Sequence, residues 1–187
     1  MKKSLLFFTI VTLFLSATSC KKEITPEEKA FDFKKSFVKI LENAKEYTLE
    51  VAEAMPQEDY TYKVSDSVRT FGEQVAHIGL SSQFILGKFI KGETPSQDQK
   101  SEQEIGASKE ETLLLLNIVF DDAIETLKNI EENSLGEKIV IDFIPGKPEF
   151  TKQEGFYFLR DHISHHRGQA IVYLRAKGQK APQYRAF

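Results

Sequence analysis

Apolar positions along the chain fall into four stretches of helical period. In the first, Phe33, Phe37, Ile40, Leu41, Ala44, Thr48, Val51 and Met55 recur at three- and four-residue spacing, which draws one stripe down a helix. Thr25-Pro26-Glu27-Glu28 carries the signals of its start, a hydroxyl N-cap, a proline at N1 and a glutamate at N3. Pro56 ends it. After a polar connection over 56–66, Val68, Phe71, Val75, Ile78, Phe84, Leu86, Phe89 and Ile90 predict a second helix from about Ser67 to Lys91, with Gly92 as its C-cap. Residues 92–107 are rich in Gln, Ser, Glu and Gly and are expected to form an exposed loop.

The third stripe, Leu113, Leu116, Val119, Phe120, Ala123, Leu127 and Ile130, follows the capping-box sequence Ser108-Lys109-Glu110-Glu111. A second such box, Thr151-Lys152-Gln153-Glu154, opens a fourth helix from about Lys152 to Lys177, closed by Gly178. Between them, 136–150 holds β-branched residues, two prolines and two glycines, the pattern of an irregular or hairpin-like crossover. Four amphipathic helices of this length predict an all-α protein, a four-helix bundle.

The first twenty residues stand apart. A positive start, the apolar run Leu5 to Leu15, and small residues before Cys20 describe a signal peptide over 1–19. The run is about half the ~20 residues a spanning helix needs. Small residues followed by the chain's one cysteine resemble a bacterial lipobox, with Ala17 where leucine is usual. Cys20 is then the lipidation site, residues 20–25 a tether and 26–187 the folded domain. The expected location is extracytoplasmic, on a bacterial membrane held by the N-terminal lipid. One cysteine excludes an intrachain disulfide. A net charge of -3 argues against a nucleic-acid partner.

The chemistry lies with four histidines, His77, His162, His165 and His166. His162 and His166, four apart, leave the same helix face, as two imidazoles must to meet one metal ion. That face also carries Leu159, Ala170 and Tyr173 and should look into the bundle. His165 is rotated off it. His77, mid-way along the second helix, completes a set of three if it faces the same interior; three ligands leave an open position, as catalytic sites do. Spacing alone equally allows satisfied core histidines or an exposed, pH-responsive face.

The run Asp161-His162-Ile163-Ser164-His165-His166-Arg167-Gly168-Gln169, followed by Tyr173-Leu174-Arg175 and Gly178, resembles the last-helix signature of the DinB-like superfamily. Met55-Pro56, Tyr60, Val68-Arg69-Thr70-Phe71-Gly72-Glu73 and Ala76-His77 resemble its first-connection and second-helix signature. The likeness covers about residues 30–187. It implies an up-down-down-up bundle with one divalent metal near one end, held by His77, His162 and His166, while His165 is no ligand. Zinc, nickel and iron all suit such donors. Relatives of this type are metal-dependent hydrolases or transfer low-molecular-weight thiols such as bacillithiol and mycothiol. Those thiols are cytoplasmic, which turns the expectation towards another small extracytoplasmic molecule, unknown in identity.

Further roles follow for the matched positions. Gly168 is expected to allow close approach of a neighbouring helix, Arg167 to pair with an acid or cap a carbonyl, and Gln169 to hydrogen-bond. Glu73, one turn before His77, is a candidate to orient it, and Tyr173 a candidate proton donor. A metal-dependent hydrolase or transferase is the first functional reading. A non-catalytic metal- or ligand-binding module at the membrane surface is the second, and a purely structural bundle the third. A homodimer is compatible with all three.

Overall fold

The structure, a computed structural model, describes residues 32–96 and 98–186. The expected signal peptide over 1–19, Cys20, the tether and the helix start at Thr25 lie outside them. Helix α1 runs Phe33–Ala54 and is capped by Asp32, whose carboxylate accepts from Lys35 N–H. Asp32, with extended backbone, supplies the acceptor that a helix end requires.

Helix α2, Phe71–Phe84, opens on a full capping box between Thr70 and Glu73. It starts later than expected, so Val68 falls in the preceding loop rather than in the core. From Ile85 to Lys91 the helix loosens to π geometry and ends at Gly92, which takes the left-handed φ of 75° that glycine allows. Within 92–107 a short helix α3, Glu102–Gly106, follows a capping box of Ser101 and Glu104. Five residues are too few to show a hydrophobic period, so the sequence pattern reads them as loop.

Helix α4, Lys109–Asn129, uses Ser108 as N-cap, with only the serine half of the expected box in place. Strands β1, Lys138–Val140, and β2, Glu149–Thr151, pair antiparallel, with Ile139 opposite Phe150. That is the hairpin expected before the last helix. Helix α5, Lys152–Ala176, carries the predicted Thr151–Glu154 capping box.

Cross-helix contacts fix the directions. Lys34 at the start of α1 reaches the Ile130 carbonyl beyond the end of α4, and Lys109 at the start of α4 reaches Met55, so α1 and α4 are antiparallel. Phe37 packs on Tyr157 and Arg167 reaches Thr48, so α1 and α5 run together. Gln74 bonds Gln169 near one end, while Ile90 would meet a Cβ on Gly155 near the other, so α2 opposes α5. The result is an up-down-down-up bundle. Because α2 and α4 point the same way, residues 92–108 must return along its length. Phe37, Leu41, Val51, Phe71, Val75, Leu116, Leu127, Phe156 and Leu159 fill the core. No helix of the described residues is long and apolar enough to cross a membrane.

Candidate metal centre

Facing histidines meet where α2 crosses α5. The bundle sets α2 against α5 in opposite directions, so one turn of α2 opposes two turns of α5. This brings His77, His162 and His166 together, with their nearest ring nitrogens all within 4.8 Å of one another. His77 Nε2 and His166 Nε2 are 3.2 Å apart. Two nitrogens bound to one tetrahedral ion at ~2.05 Å would be about 3.3 Å apart. The cluster therefore has the size of a metal site.

The other nitrogen of each ring is bonded. His77 Nδ1 lies 2.6 Å from Glu102 Oε1, and the carboxylate can only accept. His162 Nδ1 lies 3.2 Å from Ser81 Oγ, whose own proton goes to the His77 carbonyl. His166 Nδ1 lies 2.9 Å from Gln169 Oε1, which also accepts from Gln74 Nε2 at 2.7 Å. The partners of His77 and His162 set the proton on Nδ1, whereas His166 Nδ1 faces both Gln169 Oε1, an acceptor, and Gln74 Nε2, a donor at 2.8 Å. Bonding the far nitrogen in this way orients a metal-ligating imidazole and raises its basicity.

Of the cluster, His162 and His166 on α5 are held neutral. Burial, then the neighbouring imidazoles, push His162 and His166 down to about 4. An imidazole in the unfolded chain titrates near 6.5. Between those values the unfolded chain binds more protons, so the stability of the metal-free fold rises with pH across the window and is lost as pH falls through it. With chelator present, the urea midpoint should fall from pH 7 to pH 5 and fall further at pH 4. A flat profile over that range would contradict the assignment of buried, neutral imidazoles.

Glu102 is the functional residue that the sequence pattern misses. Burial raises its carboxyl, but hydrogen bonds from Arg69 and His77 outweigh this and hold it below the usual range. Arg69 Nε donates to Oε2 at 2.6 Å. The carboxylate thus stays ionised against the His77 ring. Its only sequence signal is the Ser101–Glu104 capping box that marks α3.

Glu73, the expected partner of His77, instead accepts from Thr70 N–H at 2.7 Å in the cap of α2. Its carboxylate is used by the helix end. Tyr173 does not serve as a proton donor to the cluster, since its hydroxyl donates to the Arg69 carbonyl at 2.8 Å. Arg167 caps the Ala44 carbonyl and lies 4.5 Å over the Tyr47 ring. Gly168 makes no close helix contact, for a Cβ there would meet nothing within 4 Å. Gln169 hydrogen-bonds as expected, and exposed His165 accepts from its Nε2 at 3.1 Å.

The sequence pattern of the DinB superfamily matches residues 40–170. The uncharacterized protein YjoA of Bacillus subtilis (strain 168) is 25% identical over 131 residues, covering 70% of this chain and 82% of that protein. Among solved structures, a DinB-like protein from Bacillus cereus ATCC 10987 superposes with a TM-score of 0.67 at 18% identity, over 81% of this chain and 97% of that one. The crystal structure of Bacillus subtilis YjoA gives 0.63 at 19% identity, over 80% and 97%.

Proposed function

The chain belongs to the DinB superfamily, and from that premise and the site's geometry we propose that it is a metal-dependent hydrolase or transferase acting on a small molecule. His77, His162 and His166 would hold one divalent ion, zinc, nickel or iron, through their Nε2 atoms. The single observation that carries this is that each Nδ1 lies within hydrogen-bond reach of a protein group while a ring nitrogen from each of the three histidines lies within 4.8 Å of the others, His77 Nε2 and His166 Nε2 at 3.2 Å.

Three protein nitrogens leave a coordination position free, and an ion held this way supplies Lewis acidity that generates a nucleophile near neutral pH. The protein's part is to hold the rings still. Glu102 keeps the proton of His77 on Nδ1. Ser81 does the same for His162, and Gln74 and Gln169 orient the ring of His166. Arg69 neutralises Glu102 and so stops the carboxylate from turning inward. The half-buried setting of the rings excludes bulk water from one side of the cluster.

We place this activity outside the cytoplasm, on a domain tethered through a lipid on Cys20. The support is the charged start, apolar run and small residues before that cysteine. Elemental analysis of the protein purified without a histidine tag tests the metal reading. About one divalent ion per chain is expected. No ion, even after reconstitution with zinc, nickel or ferrous iron, would overturn it. One ion without turnover on ester, amide, phosphoester or thiol-transfer substrates would favour the non-catalytic binding module instead.

A further inference from the structure

Beside the three histidines lies a cavity of about 380 Å³, lined by Val64, Val68, Val172 and Tyr173 together with Arg69, Gln74 and Gln169. That volume is within the ~300–1,000 Å³ typical of small-molecule sites. Three of its polar residues also touch the cluster, Gln74 and Gln169 through His166 and Arg69 through His77. An occupant would therefore sit next to the inward-facing nitrogens.

The wall is unusual for a surface. Val64, Val68 and Val172 are 39%, 36% and 52% exposed. They come from the α1–α2 connection and from α5, and they meet only here. Val68 was expected in the core of the second helix, yet the fold spends it on this wall. Branched aliphatic side chains leave room for a short aliphatic group of similar shape and give it no polar partner.

The polar side is more selective. Gln74 is only 3% exposed. Its Nε2 is committed to the His166 carbonyl and to Gln169. Its Oε1 takes no hydrogen bond among the described residues. It is not a sealed atom either, since Ser82 Oγ is the one fully enclosed side-chain polar atom without a partner among those residues. The small accessible surface of Gln74 is thus an unpartnered acceptor. Arg69 uses Nε and Nη2 on Glu102, with Nη2 also 3.3 Å from His77 Nδ1, and its Nη1 has no partner among the described residues. A ligand that satisfies both needs a hydrogen-bond donor and an acceptor, with an apolar flank.

We infer that this cavity binds a carboxamide bearing a short branched aliphatic group, its N–H donating to Gln74 Oε1 and its carbonyl oxygen accepting from Arg69 Nη1. The inference rests on the proposed function only for calling the occupant a substrate; the binding itself needs no metal. Leaving a buried acceptor without a donor is costly, so the site should reject an analogue that lacks the N–H.

The probes are N-isopentylacetamide and isopentyl acetate, the same shape with and without the N–H. Each is titrated into the ¹⁵N-labelled protein while backbone amide shifts are followed and metal content is measured in parallel. The amide should bind with a Kd on the order of 1 mM, as a fragment of that size does, and move the signals of Val64, Val68, Gln169 and Val172. The ester should bind at least fivefold more weakly. Val172→Glu, on an exposed position, should abolish the shifts and leave metal content unchanged. Equal binding of ester and amide, shifts elsewhere, or full binding by the Val172→Glu protein would each overturn the inference. Amide binding by a protein that holds no metal would sustain it while the metal reading fails.

Discussion

Alanine at His166 should leave a folded protein that no longer retains the proposed metal ion. His166 is half-buried and lies at the polar edge of the cluster, so the core beneath, Leu159, Ile163 and Ala170, is untouched. Binding of structural zinc amounts to about 10–16 kcal/mol over four ligands. Losing one nitrogen of three should therefore weaken binding by about 70- to 900-fold. His77→Ala and His162→Ala should do the same. Glu102→Gln forms the graded arm: it keeps a hydrogen bond to His77 Nδ1 but removes the charge and the Arg69 pair, so a fall of ~10–100-fold is expected. Bound metal and the rise in Tm on adding zinc measure both, because an ion that binds only the folded state stabilises it by mass action. Full metal retention by His166→Ala would place the ion elsewhere.

Gly72→Ala should give the largest loss of stability among glycine substitutions. A Cβ at Gly72 would overlap the Gly106 carbonyl oxygen, lie 2.8 Å from its carbon and 2.9 Å from Tyr60 Cδ1. Neither backbone can yield. Gly72 N–H donates to the Tyr60 carbonyl at 2.8 Å, and a Cβ on Gly106 would itself lie 2.5 Å from Glu73 N. Overpacking of this kind costs about 3 kcal/mol, or roughly 6–12 °C in Tm for a domain of this size. The shift also carries α3 away from α2, and with it Glu102 from His77, so metal affinity should fall in the same variant. Gly168→Ala is the contrasting case. Its Cβ would enter open space in mid-helix, and it should stabilise by about 0.5–1 kcal/mol. Equal Tm values for the two variants would refute the close α2–α3 contact.

Local signals explain why so much of this protein could be read in advance. A capping box satisfies two N–H groups of one helix end with residues three apart, so Thr151 and Glu154 announce α5 without help from any other part of the chain. The spacing of His162 and His166 needs only the helix they share. Those four amphipathic stripes can bury their apolar faces only on one another, which dictates the bundle. The sequence by itself thus determined the four long helices, the hairpin before α5 and the histidine pair.

Contacts between distant segments belong to the tertiary structure alone. Nothing near His77 in sequence marks Glu102 as its partner, 25 positions away. Glu73 was the better local candidate until the α2 cap consumed its carboxylate. Because α2 and α4 run in the same direction, the chain has to return over 92–108, and that return sets Glu102 against His77. The start of α2 at its Thr70 cap leaves Val68 in the preceding connection, where packing beside α5 makes it a cavity wall. Periodicity reports which face of a helix is buried, because that depends on neighbours three and four residues away. Which carboxylate reaches which imidazole depends on how helices far apart in sequence are laid side by side, and only packing decides that.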